Sequence, residues 1–146
     1  MTVLRLEHIG IVVDDLAGAT AFFVALGLEV EGETSVEGPS VDRINGLEGV
    51  RADIVMLRTP DGRGRLELSK YLTPAAPSAE PANPPPNTPG LHRVMFTVDD
   101  IDDTVARLRA QGAELLGDVV QYGSTYRLCY LRGPAGIIVA LAEQIG

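Results

Sequence analysis

The chain has 146 residues, 45% of them hydrophobic and 22% charged, enough for one full-sized core or two small packed halves. A formal net charge of −8 argues against nucleic acid and anionic membrane surfaces as partners, since both call for a basic face. No apolar run approaches the roughly 18 residues that span a bilayer, the opening MTVLRLEH is not a signal peptide, and the single Cys129 allows no intrachain disulfide, so a cytoplasmic protein is expected.

Residues 3–13 are apolar and β-branched and read as a strand. Asp14 or Asp15 can cap a following helix. In that helix Leu16, Ala19, Phe23 and Leu26 recur at helical spacing, and Gly27 suits its end. A second strand is expected over 28–34. Residues 35–50 hold three Gly and one Pro and read as a loop or lid. Strands follow at 52–58 and 65–71, joined by the turn signal Pro60-Asp61-Gly62. Residues 73–90 contain seven Pro and read as a semi-rigid, extended connector. Beyond it come a strand at 91–98, a helix at 101–111 with Ile101, Val105 and Leu108 on one face, a stop at Gly112, and strands at 114–121, 126–132 and 136–142.

The second series repeats the first. LEHIGIVVDDL (6–16) aligns with LHRVMFTVDDI (91–101) at an offset of 85, and Gly27 then falls on Gly112. LRTPDG (57–62) aligns with LRGPAG (131–136) at an offset of 74, the difference of 11 being absorbed by the longer loop before the third strand of the first half. The expected organisation is a first βαβββ module at 1–72, a proline-rich linker at 73–90 and a second βαβββ module at 91–146, together an α+β fold. The acidic pairs Asp14-Asp15 and Asp99-Asp100 read as helix caps that complement the positive helix ends.

Two βαβββ modules, with His8 in the LEHIGIVVDDL strand and Glu67 in the RLEL strand, resemble the vicinal oxygen chelate superfamily. That group includes glyoxalase I, methylmalonyl-CoA epimerase, extradiol dioxygenases and bleomycin-resistance proteins. The resemblance covers essentially the whole chain. It implies modules paired into a half-open mixed barrel with a small-molecule ligand in the concavity. It also implies a divalent metal (Zn, Ni, Mn, Co or Fe) held by one His or Gln and one Glu from each module. Members pair their modules within one chain or across a homodimer, and the linker permits either.

Carried over position by position, His8 and Glu67 match as metal ligands, with Glu67 also the catalytic group. The second module departs from the pattern. Its first-strand position is Arg93, with His92 one residue off register and therefore on the opposite strand face. Its fourth-strand position is Ala140 or Leu141, with Glu143 two or three residues late. A guanidinium has no lone pair for a metal but pairs well with carboxylates, so Arg93 reads as a pocket cation or as a partner for Glu67. Only a strand bulge would bring His92 or Glu143 back into place; otherwise both read as exposed. Tyr122, Tyr126, Arg127 and Tyr130 cluster in the second half, and Tyr126 and Tyr130 share a strand face that can line the cavity with Arg93. Cys129, between Leu128 and Tyr130, reads as inert packing.

The resemblance then implies a glyoxalase-type lyase or isomerase acting on a substrate with adjacent oxygens, from an incomplete metal-ligand set. The alternative is a metal-free binding protein of the bleomycin-resistance type, which the missing second-module ligands favour. A ring-cleaving dioxygenase ranks behind both, because it needs two His and one carboxylate on one iron.

Overall fold

The computed structural model describes residues 2–146. The chain divides into two compact units, Met1–Ser78 and Ala79–Gly146, with the division inside the proline-rich stretch. Each unit carries its own hydrogen-bonded sheet.

The first unit contains β1 (Ile9–Val12), α1 (Leu16–Leu26), β2 (Glu29–Glu37), α2 (Pro39–Asn45), β3 (Arg51–Arg58) and β4 (Arg65–Thr73). The sheet order is β1-β4-β3-β2, with β1 parallel to β4 and the other pairs antiparallel. β1 is much shorter than the apolar run that suggested it. Its ladder begins at Ile9↔Leu66, and β4 starts only at Arg65. Residues before Ile9 therefore have no strand to pair with, and Val3, Leu4 and Leu6 stay exposed.

Asp15 caps α1, its carboxylate accepting from the backbone N–H of Gly18 at 2.9 Å. The buried stripe of α1 is Ala19, Phe22, Phe23 and Leu26, with Leu16 only half-buried. Phe22 and Phe23 meet edge-to-face at 5.1 Å. Gly27 ends the helix at φ +122°, where a side chain would be strained, and its N–H reaches back to the carbonyls of Phe23 and Val24.

The expected loop at 35–50 is instead the end of β2 followed by α2. Pro39 stands at the start of α2, Gly46 ends it in the left-handed conformation, and the Asp42 carboxylate accepts from the N–H groups of Gly49 and Val50 at 3.0 and 2.8 Å.

The second unit contains β5 (Arg93–Thr97), α3 (Ile101–Ala110), β6 (Glu114–Leu115), β7 (Val120–Tyr122), β8 (Tyr126–Arg132) and β9 (Ile138–Gln144). β9 is parallel to β5 and antiparallel to β8, while β6 and β7 both pair with β8. The strand expected over 114–121 is thus interrupted. Residues 116–119 bulge opposite Cys129 and Tyr130, with the Leu116 N–H held by the Tyr130 carbonyl at 3.0 Å. Asp100 caps α3 through the Asp103 N–H at 3.0 Å. The helix stops at Gln111, one residue before Gly112, which takes φ +95°.

Strand register reproduces the internal repeat. Gly10 pairs with Glu67 in the first module, and Met95 pairs with Ala140 in the second. The shift from 10 to 95 is the same 85 residues read from the sequence. The hairpins β3–β4 and β8–β9 also correspond: Thr59-Pro60-Asp61-Gly62 and Gly133-Pro134-Ala135-Gly136 turn the chain at equivalent places, with Gly62 and Gly136 both at positive φ.

The proline-rich stretch is largely exposed, as a connector should be, yet it is bent and turned rather than extended throughout. Its second half is tied to the second unit. The Arg132 guanidinium donates to the carbonyls of Pro84 and Gly136, each at 2.9 Å.

Candidate functional site

Alternation along β4 sends Leu66 and Leu68 into the core, where they are 3% and 0% exposed, and turns Glu67 to the opposite face. His8, one residue before β1, lies on that same face. Its Nε2 is 3.6 Å from Oε2 of Glu67, and both side chains are about two-thirds to three-quarters covered, at 32% and 26% exposure. Ser69 donates its hydroxyl to Oε1 of Glu67 at 3.2 Å. Gly10 sits between these groups, and a Cβ built on it would meet nothing within 4 Å. The carboxylate therefore borders open space with most of its acceptor capacity unused. His8 Nδ1 is buried without a hydrogen-bond partner among the described residues.

Arg65, two residues before Glu67, does not pair with it. Its guanidinium bridges Glu7 and Glu31, which holds the residue before His8 and the first part of β2 against the start of β4. That double pairing raises the Arg65 pKa, the bond to Glu31 first among the causes.

Further along the same face, a cavity of about 350 Å3 is lined by Val12, Leu47, Tyr71 and the Pro74–Pro77 segment. The Tyr71 hydroxyl donates to Oδ1 of Asn45 at 2.7 Å, which fixes the ring against α2. Sequence reasoning missed Val12, Leu47 and Tyr71 as pocket residues. The period-two series Glu67, Ser69, Tyr71 was the available signal. A wider groove of about 670 Å3 runs beside α1, between Ala17, Ala21 and Val24 and the strand residues Asp53 and Lys70.

In the second unit, Arg93 is engaged by Tyr130. Its Nη1 donates to the Tyr130 hydroxyl at 2.5 Å, and its guanidinium carbon lies 4.9 Å from the Tyr130 ring centroid, a cation–π contact. Tyr126 shares the β8 face with Tyr130 and is 39% exposed, so the expected cluster of Arg93, Tyr126 and Tyr130 is placed on one sheet face. Arg127 faces the other way and grips Asp102 of α3 in a two-pronged ion pair at 2.8 and 3.0 Å, which lowers the Asp102 pKa.

The two displaced candidate ligands have other partners. His92 is half-buried rather than exposed, and its Nε2 lies 3.0 Å from the Pro89 carbonyl. Glu143 is also half-buried rather than solvated. Its Oε1 accepts from the Ile101 N–H at 2.8 Å and so satisfies the N-terminus of α3. The position equivalent to Glu67 is Ala140, fully buried.

These residues do not fit a resident divalent metal. His8 and Glu67 offer two donors, and among the described residues no third His, Cys, Asp or Glu joins them. Catalytic zinc sites use three protein ligands, and the oxygenase iron site needs a second His; the chain's other His is the one on Pro89.

A family model described as the glyoxalase/bleomycin resistance protein/dioxygenase superfamily matches residues 7–130. The chain belongs to this superfamily. Among solved structures, a glyoxalase family protein from Bacillus cereus is 47% identical, with a TM-score of 0.95 over 100% of this chain and 97% of that one. TnmS3, an antibiotic-binding protein from Streptomyces, is 17% identical, with a TM-score of 0.63 over 99% of both chains. A glyoxalase/dioxygenase from Nostoc punctiforme is 19% identical, with a TM-score of 0.65 over 97% of this chain and 92% of its own. No curated protein matches the chain significantly. The superfamily's βαβββ plan is thus the plan of each unit of this chain. Among the described residues, no helix is long and apolar enough to cross a membrane.

Proposed function

We propose that this superfamily member binds a small molecule on the His8–Glu67 face of its first module and holds it without a resident metal. The observation that carries this reading is the half-buried Glu67 carboxylate, which accepts one hydrogen bond from Ser69 while facing the open space beside Gly10. A carboxylate so placed gains most when a ligand donor replaces lost water. The two-donor set supports binding without a metal, and TnmS3, which has the same fold, is itself an antibiotic-binding protein.

The test is a small-molecule screen by melting temperature, run in chelator, on the wild type and on Glu67→Gln. Compounds that raise the melting temperature of the wild type and not of the variant support the reading, because a ligand of the folded state must stabilise it. Stabilisation that is equal in both proteins, or that requires added metal, overturns it.

A second reading is a metal-independent lyase or isomerase for a substrate with adjacent oxygens. The 3.6 Å approach of His8 Nε2 to Glu67 favours it, because a proton can pass between these groups as a substrate carbon next to a carbonyl loses or regains one. Exchange of a ligand's C–H hydrogens into heavy water, lost in Glu67→Gln, distinguishes this reading from binding alone.

A further inference from the structure

We infer that the cavity closed by Leu47 and the Pro74–Pro77 segment is the apolar half of the Glu67 site, and that the pair selects elongated compounds with an aromatic body at one end and a cationic amine at the other. This rests on the reading of Glu67 as a ligand acceptor and adds the ligand's shape and chemistry.

Continuity of the sheet face links the two halves. The ladder pairs Gly10 with Glu67 and Val12 with Ser69, so His8, Gly10 and Val12 line up beside Glu67, Ser69 and Tyr71 on one side of the sheet. Tyr71 lies four positions beyond Glu67, about 13 Å of strand. One end of this track is a carboxylate. The other is walled by Val12, Leu47, Tyr71, Pro74 and Pro77, which present mostly carbon surface. A volume of about 350 Å3 lies at the small end of the range for ligand pockets and suits a two- or three-ring body.

Charge complementarity fixes the far end of the ligand. The guanidinium nearest in sequence, Arg65, is committed to Glu7 and Glu31. Among the described residues, the polar side-chain contacts of Glu67 are His8 and Ser69. An alkylammonium group supplies three donors to such a carboxylate, whereas a ligand carboxylate would meet a like charge. The walls are positioned rather than loose: Tyr71 is tied to Asn45 of α2, and Thr73 donates to the Gly49 carbonyl at 2.7 Å just before the proline segment.

The test uses a series of 2-naphthylalkylamines with increasing spacer length and the matching neutral alcohols, measured by fluorescence anisotropy with the full-length protein. The expected result is an affinity maximum for spacers that cover most of the track of about 13 Å. Leu47→Gln, a change at a 44% exposed side chain that the fold tolerates, weakens the best amine about tenfold. Glu67→Gln weakens the amine and leaves the alcohol unchanged. Binding that depends on Glu67 but not on Leu47, or that ignores spacer length, overturns the two-ended site while leaving Glu67 as an acceptor. Amine binding indifferent to Glu67→Gln overturns both readings. If no amine binds, the two-ended site is overturned, and the chelator screen alone judges the broader function.

Discussion

Gly10 of β1 lies directly across the ladder from Glu67 of β4, so this acidic side chain stands opposite a residue with no side chain. The equivalent pair in the second module is Met95 and Ala140, which places a bulky apolar group where the first module leaves room and a methyl where it has a carboxylate. The two halves keep one backbone plan and divide the chemistry between them.

Removing the acid separates binding from folding. Glu67 is partly covered, and among the described residues its polar side-chain contacts are His8 and Ser69, so Glu67→Gln, which keeps the shape, is expected to change stability by less than about 1 kcal/mol. Ligand stabilisation is expected to vanish in the same variant. Urea unfolding with and without ligand checks both outcomes.

Glu143 is a structural acceptor. Glu143→Ala leaves the Ile101 N–H at the start of α3 without its partner and is expected to cost about 1–2 kcal/mol. Glu143→Gln retains an acceptor oxygen and is expected to recover most of that loss. Denaturant midpoints of the two variants decide this, and the screen's ligands should bind both as they bind the wild type.

The Asp102–Arg127 pair predicts a pH dependence with a definite sign. Arg127 lowers the Asp102 pKa in the folded chain below its ordinary 3.8. The pair's contribution is therefore complete above the unfolded value and is lost as pH falls through the lower folded value. Asp102→Asn is expected to melt below the wild type at pH 7, with the gap narrowing as pH falls below 3.8. A gap unchanged at acid pH would show that the ion pair is not its source. The pair is exposed, so the effect is small and shrinks with added salt.

Cys129 is the chain's only thiol, 4% exposed, with its pKa pushed up by burial to about 11. At pH 8 the folded protein is expected to react with a thiol reagent far more slowly than the urea-unfolded chain. Above pH 9 ionisation favours the unfolded state, whose thiol titrates near 9.0, so stability falls as pH rises past that value. A stopped-flow labelling series across pH checks both.

Much of this was legible in the sequence because ladder register is written in alternation and repetition. The offset of 85 that put Arg93 over His8 also puts Met95 over Gly10, and because Gly10 pairs with Glu67 and Met95 with Ala140, the ladders select Ala140 over Leu141 as the Glu67 equivalent. α2 was missed because its seven residues are too few to show a period, although Pro39 and Gly46 mark its two ends. The roles of His92 and Glu143 depend on contacts with the Pro89 carbonyl and the Ile101 N–H, and the second spans 42 residues of chain. No local pattern announces such a contact. The pocket beside Tyr71 was hidden for a related reason, since one wall comes from a segment read only as a linker.

The central claim is that this superfamily member holds its ligand through Glu67 without a metal. The most direct measurement is calorimetric titration of the best ligand from the screen, first in chelator and then with saturating zinc, nickel, manganese or cobalt. The expected result is an unchanged dissociation constant in every condition and loss of binding in Glu67→Gln. Binding that appears only with one of these ions, at one ion per chain, would contradict it.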